Sequence, residues 1–434
     1  MTKTTIAAVH GRRVWDSRGR PTVEAEVRLA GGACGRAIAP AGASTGSGEA
    51  IERRDGGSRL GGLDVRAAVA AIDGEVARAL AGADAAGQEA IDALLVALDG
   101  TPQKSRLGGN ALVAVSMAVL HAAAAAAGRA LWQHLLGDAG EAVLPLPEIQ
   151  IFGGGAHAGR RVDIQDFMVV APAAGSFAEA LEWTAEIYRA AGMMMAEQGL
   201  LQGVADEGGF WPAFPTNEAA LDALMRAIER AGFTPGQEIF LSLDIAASEF
   251  HEKGRYRLAL DGRELDSDAM AEMLTRWLDR YPIASIEDPL AEDDTQGLRK
   301  FTAAVGDRVQ IVGDDFLVTN AGRVREAAQA GACNAVLIKP NQAGTVSEAR
   351  AALMAAREAG WGAIVSARSG ESEDVTIVHL AVGWGVRQLK VGSFARSERM
   401  AKWNEGLRVE EALGPRARFA GAAPLERAHP RGRR

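Results

Sequence analysis

The stretch Ile283-Ala-Ser-Ile-Glu287 is a short apolar run that ends on a carboxylate, and the same design recurs along the second part of the chain. Ile239–Leu243 is followed by Asp244, Val309–Val312 by Asp314, and Ala335–Ile338 by Lys339. Ala363–Val365 and Gln388–Leu389 are likewise followed by Ser366 and Lys390. A helical stretch comes after each run, and most successive pairs are about one βα unit apart. That is the signature of a parallel sheet covered by helices. A (β/α)8 barrel needs about 250 residues, and the chain has room for one. Chemistry in such barrels sits at the carboxyl ends of the strands, where every polar residue just named stands.

The first part is organised differently. Thr22–Val27 and Arg36–Ala39 read as strands separated by the Gly31-Gly32 turn, and helical stretches are expected over Val65–Leu80, Gln88–Leu98 and Asn110–Leu136. Gly137–Pro147 is rich in Gly, Pro and acidic residues and marks the boundary. The expected fold is α/β: a smaller N-terminal α+β domain over 1–137 and a (β/α)8-type barrel over 138–434.

The 434 residues are 48% hydrophobic and 24% charged, an ordinary balance for a globular protein. A net charge of −9 argues against a nucleic-acid partner, and the eight tryptophans show no stacking period. A small anionic substrate is compatible with that sign if cations cluster locally. Cys34 and Cys333 show no metal or redox spacing and read as buried thiols of a reducing compartment. The N-terminus lacks a signal pattern, and the apolar run Ala111–Ala127 reads as a buried helix rather than a membrane span. The expected location is the cytoplasm. Arg427–Arg434 reads as a solvated basic terminus.

Asp244, Glu287 and Asp314 end consecutive strands, and carboxylates converging there would repel one another unless a cation lay between them. An all-oxygen site favours a hard ion such as Mg²⁺. The alternative is that each carboxylate caps the helix after it. Lys339 beside such an ion and other cations would be disfavoured as an ammonium and could act as a base. Arg368 with Ser369 suits a phosphate, which a guanidinium binds in bidentate fashion; a ring of salt bridges is the competing reading. Glu207, before Gly208-Gly209, is a candidate acid. Ala41–Gly46 is a small-residue loop.

Together these segments resemble enolase nearly end to end. The residues that carry the likeness are Asp16-Ser-Arg-Gly19, Pro21-Thr-Val-Glu24, Gly42-Ala-Ser-Thr-Gly46, Gly154-Gly-Ala-His-Ala-Gly159 and Asp206-Glu-Gly-Gly209. They continue with Asp244, Ala246-Ala-Ser-Glu-Phe250, Ser285-Ile-Glu-Asp288, Gly313-Asp-Asp315, Lys339-Pro-Asn-Gln342, Arg368-Ser-Gly-Glu371 and Ala395-Arg-Ser-Glu-Arg399. The resemblance implies a barrel whose first strands depart from βα alternation. It implies Lys339 as base, Glu207 as acid, and two Mg²⁺ per site. Asp244, Glu287 and Asp314 would hold the first ion; Ser44, on a mobile loop, would help hold the second. Arg368 and Ser369 would take the phosphate of a small hydroxy acid and Lys390 its carboxylate end, while His157 would reach in from its own loop. A homo-oligomer, dimer or octamer, is implied as well.

The chain departs from that pattern in places. Asp166 stands where the family has Glu, which retracts the carboxylate by roughly 1.5 Å. Ala367 replaces a His, Gly153 an Asn, Ala41 a Ser and Ala343 an Ile. The expected reaction is dehydration of 2-phospho-D-glycerate to phosphoenolpyruvate. The alternatives are a specialised paralogue acting on a phospho- or phosphono-analogue, such as a carboxyphosphonoenolpyruvate synthase, and a non-catalytic binding protein on the same scaffold. His10, His121, His134, His251, His379 and His429 are expected to pack or face solvent.

Overall fold

The computed structural model describes residues 2–138 and 140–426; His429 and the basic run from Arg427 lie outside them. β1 (Ile6–Trp15), β2 (Pro21–Leu29) and β3 (Cys34–Ile38) form an antiparallel sheet in that order. The two expected strands fall in β2 and β3. β1 was not anticipated from the sequence. Its apolar residues do not alternate cleanly, and its register shifts between Ile6 and Ala8.

Helix Gly109–Ala126 packs on β2 and β3 with nearly every side chain buried. Its alanines let helix and sheet approach closely, while Leu112, Val113, Val115 and Val119 each bury completely. Such side chains contribute about 1.5–3 kcal/mol apiece. Among the described residues this is the one helix long and apolar enough to cross a membrane, and the fold uses its apolarity internally. The single helix expected over Asn110–Leu136 is in fact two, the second being Leu131–Leu136. The chain turns between them at Gly128, whose φ of 67° ends a helical run. Val65–Leu80 is also interrupted, by a wide turn at Ile72–Val76 between Arg66–Ala71 and Ala77–Leu80. Cys34 is exposed rather than buried, because β3 alternates faces and turns its first side chain outward; Cys333 is buried as expected.

Eight strands close the barrel: Leu146–Gly153, Asp166–Val170, Phe240–Asp244, Ile283–Glu287, Gln310–Gly313, Ala335–Ile338, Gly362–Ser366 and Gln388–Ser393. The last pairs in parallel with the first. Asp166–Val170 alone runs antiparallel to both neighbours, so the barrel does depart from βα alternation at its start. The register sets Asp166 opposite Asp244 and Glu287 opposite Asp244, which brings three carboxylates to one rim. Lys390 lies within its strand rather than after it, on the same side as Gln388, whose amide meets Gln310 inside the barrel.

Candidate active site

The helices that follow the three acidic strand ends begin on other residues. Asp266, Asp294 and Asn320 cap Ser267–Arg280, Thr295–Val305 and Ala321–Ala330, each side chain accepting a backbone N–H. Asp244, Glu287 and Asp314 are therefore not spent on capping, and all three are buried.

They face two lysines. Lys390 Nζ stands 2.9 Å from Asp244 Oδ2, 2.7 Å from Glu287 Oε2 and 3.4 Å from Asp166 Oδ2. Lys339 Nζ donates to Asp314 Oδ2, whose other oxygen accepts Gln342 Nε2 at 2.8 Å. Gln165 Nε2 donates to Asp244 Oδ2 at 3.0 Å. Glu287 is pushed well above the usual carboxylate range by burial and by Asp244, with Lys390 only partly offsetting them. Its Oε1 is buried and has no hydrogen-bond partner. A buried acceptor left open among like charges costs stability until a cation arrives. The oxygen-only donor set of Asp244, Glu287 and Asp314 fits a hard divalent ion.

The tightest acidic cluster among the described residues is a different one: Asp288, Asp314 and Asp315, with ligand atoms within 4.8 Å of one another. Asp288 accepts the backbone N–H groups of Asp314 at 2.9 Å and Asp315 at 2.8 Å, so it fixes the turn that presents Asp314. Burial and Asp314 raise Asp288 to about 8.

On the other side of the rim, His157 lies on the turn Gly155–Ala158 and links two carboxyl groups. Its Nε2 is 3.0 Å from Asp166 Oδ1, and its Nδ1 is 3.7 Å from Glu207 Oε1 and 3.3 Å from Ser369 Oγ. Ser369 Oγ also donates to Glu207 Oε1 at 3.0 Å. Burial alone would lower His157, but Asp166 and Glu207 outweigh it and raise the imidazole to about 9. Asp166 moves the opposite way: burial favours its neutral form, and His157 and Lys390 prevail and hold it ionised. The shortened carboxylate thus contacts its neighbours directly. Ala367 is buried, its N–H donating to Lys390 O at 2.9 Å. The imidazole near Glu207 is supplied by His157.

Arg368 is wholly enclosed. Its Nη1 reaches Glu49 Oε2 at 2.9 Å and Asn341 Oδ1 at 3.2 Å; its Nη2 reaches Glu49 Oε1 at 3.1 Å and Ser44 O at 2.9 Å. The bidentate fork expected for a phosphate is engaged by Glu49, and Ser44 meets Arg368 through its main chain. Arg18 holds the same loop through Ala41 O at 2.9 Å and Gly42 O at 3.2 Å. Arg399, fully buried, donates to Arg368 O and Ser369 O, both at 2.6 Å. Glu49, Gln150 and Gln165 were not singled out from the sequence, and Gln342 entered only as part of a motif, with no role. A polar side chain at an inward position of an apolar strand, as at Gln150, is the signal that would have found one of them.

A closed barrel with a lysine, a glutamic acid and a ring of buried carboxylates and cations gathered on one rim defines an enzyme suited to acid–base chemistry. Two family models match the chain, "Enolase, N-terminal domain" over residues 6–135 and "Enolase, C-terminal TIM barrel domain" over 141–428. Enolase 2 of Pseudomonas syringae pv. syringae (strain B728a) is 47% identical over 421 residues, covering 96% of this chain and 98% of that protein. The chain belongs to the enolase family and is a hydro-lyase of that type.

Proposed function

We propose that this protein dehydrates 2-phospho-D-glycerate to phosphoenolpyruvate in a Mg²⁺-dependent reaction. The observation that carries the reading is the placement of Lys339, Glu207 and Arg368-Ser369 around one rim, with Ser369 bridging to Glu207. Lys339 Nζ takes the proton from C2. Glu207 gives a proton to the C3 hydroxyl, which leaves as water while the C2–C3 double bond forms. Arg368, on exchanging Glu49 for it, and Ser369 would hold the phosphate; Lys390, once Asp244 and Glu287 are engaged by the ion, would hold the carboxylate end; His157 and Asp166 keep Glu207's surroundings polar and charged. Asp244, Glu287 and Asp314 would hold one Mg²⁺ and Ser44 would help hold a second. The ions would stabilise the negative charge gathering on the substrate carboxylate.

The division of the chain at 137/138, a homo-oligomeric dimer or octamer, a glycolytic role and a cytoplasmic location belong to the same reading. A net charge of −9 supports a small-molecule partner over nucleic acid.

The apolar, buried Ala367 favours a second reading, a specialised paralogue that dehydrates a phospho- or phosphono-analogue. Turnover with and without Mg²⁺, followed by absorbance of the new double bond, separates the two. Saturable conversion of 2-phosphoglycerate supports the first reading; conversion of only the analogue overturns it.

A further inference from the structure

Gln150 sits on the first barrel strand with no solvent exposure, between the strand that carries Asp166 and the loop that carries Glu207. Its Oε1 accepts the N–H of Gly209 at 2.8 Å, and its Nε2 donates to Asp166 Oδ1. The amide orientation follows from these partners, since only oxygen can accept the N–H and only nitrogen can donate to a carboxylate. Gln150 Nε2 and His157 Nε2 are 3.4 Å apart, and both converge on that same Asp166 oxygen. The acid loop is tied in a second time, by Asp206 N–H on His157 O at 3.2 Å.

Space around the amide is closed. A Cβ at residue 209 would lie 2.3 Å from Gln150 Oε1, and one at residue 153 would lie 3.3 Å from Gln150 Nε2 and 3.1 Å from Ala205 Cβ. Two glycines therefore leave room for one long amide, which reaches the short side chain of Asp166.

We propose that Gln150 is a positioning residue for the acid half of the reaction: its amide clamps the Glu207 loop to the Asp166–His157 pair, and its length is matched to that of Asp166. This rests on the function proposed above. Lys339 lies outside the clamp, so proton removal is spared and departure of the hydroxyl is not.

Length matching gives the test. Gln150→Asn removes one methylene and Asp166→Glu adds one, so the double variant conserves the sum. Turnover and KM on 2-phosphoglycerate with Mg²⁺ are measured for the wild type, both single variants and the double, with C2 proton exchange in D₂O. Losing a hydrogen bond to a charged acceptor should cost Gln150→Asn roughly tenfold or more in kcat. KM should stay within about twofold and exchange near wild type, with the double variant recovering the part of the loss that comes from the Asp166 end of the clamp. An unchanged kcat, a parallel fall in exchange, or a double variant no better than the worse single overturns the proposal. The ¹⁵N signal of the His157 ring, read without substrate, should move in Gln150→Asn and return in the double; no movement also overturns it. If the wild type fails on 2-phosphoglycerate, the functional reading falls, and the ring signal alone decides the role of Gln150.

Discussion

Lys339 and Asp314 form a buried ion pair between the ends of adjacent strands. Burial alone would lower the lysine, but Asp314 and Glu287 together outweigh it, and the ammonium is favoured. This reverses the state that a base requires. On the function proposed above, Lys339 would accept a proton only once a bound cation engages the charge of Asp314, and base activity would be coupled to cation binding.

Replacing Lys339 with Ala is expected to abolish C2 proton exchange in D₂O and to lower turnover roughly 10²- to 10⁴-fold. Circular dichroism should report an intact fold. Undiminished exchange would remove Lys339 from the role of base.

Magnesium should raise the thermal midpoint in a concentration-dependent way, because only the folded rim gathers the carboxylates. At an ion concentration 100 times Kd the stabilisation is about 2.7 kcal/mol. In Glu287→Gln most of that gain should vanish. Equal protection of wild type and variant would exclude Glu287 as a ligand.

His157 gives the metal-free protein a pH dependence whose sign is fixed. Its folded value of about 9 lies above the ordinary 6.5, so the folded state binds the proton more tightly. The resulting stabilisation is complete below pH 6.5 and is lost as pH rises through about 9. Denaturant unfolding across that window should show the wild type losing stability relative to His157→Gln. A constant difference between the two would contradict the Asp166–His157 pairing.

Arg368 is held by Glu49, Asn341 and Ser44 at once, a geometry that a lysine cannot reproduce. Arg368→Lys should raise KM roughly tenfold or more and weaken competitive inhibition by inorganic phosphate. If kcat alone falls and phosphate inhibition is unaltered, Arg368 does not bind that group.

The rim residues were legible because type and place coincide: Asp244, Glu287, Asp314 and Lys339 each follow an apolar run of strand length. The supporting amides were not read as such: Gln342 entered only within a motif, and Gln165 differs from an ordinary surface glutamine only by what it touches once folded, Asp244 Oδ2 at 3.0 Å. Glu49 escaped for a related reason. It lies just beyond the small-residue loop and gains its meaning from Arg368, 319 positions away. The residues of Asp166–Val170 do not themselves give its direction: the resemblance implied a departure at the barrel's first strands, and the strand's neighbours show that it is reversed.

That reversal has a practical outcome. An inverted stave meets the catalytic rim with its first residue, so the connection delivering it, residues 154–165, is the crown of a hairpin and not the approach to a barrel helix. The crown is also tied to a helix start: Asp163 Oδ2 accepts Asn217 Nδ2 at 2.8 Å, at the first residue of helix Asn217–Arg230, so Asp163 is the position in it to leave untouched. Anyone retuning this scaffold for a different acid would begin at that crown, which already bears His157.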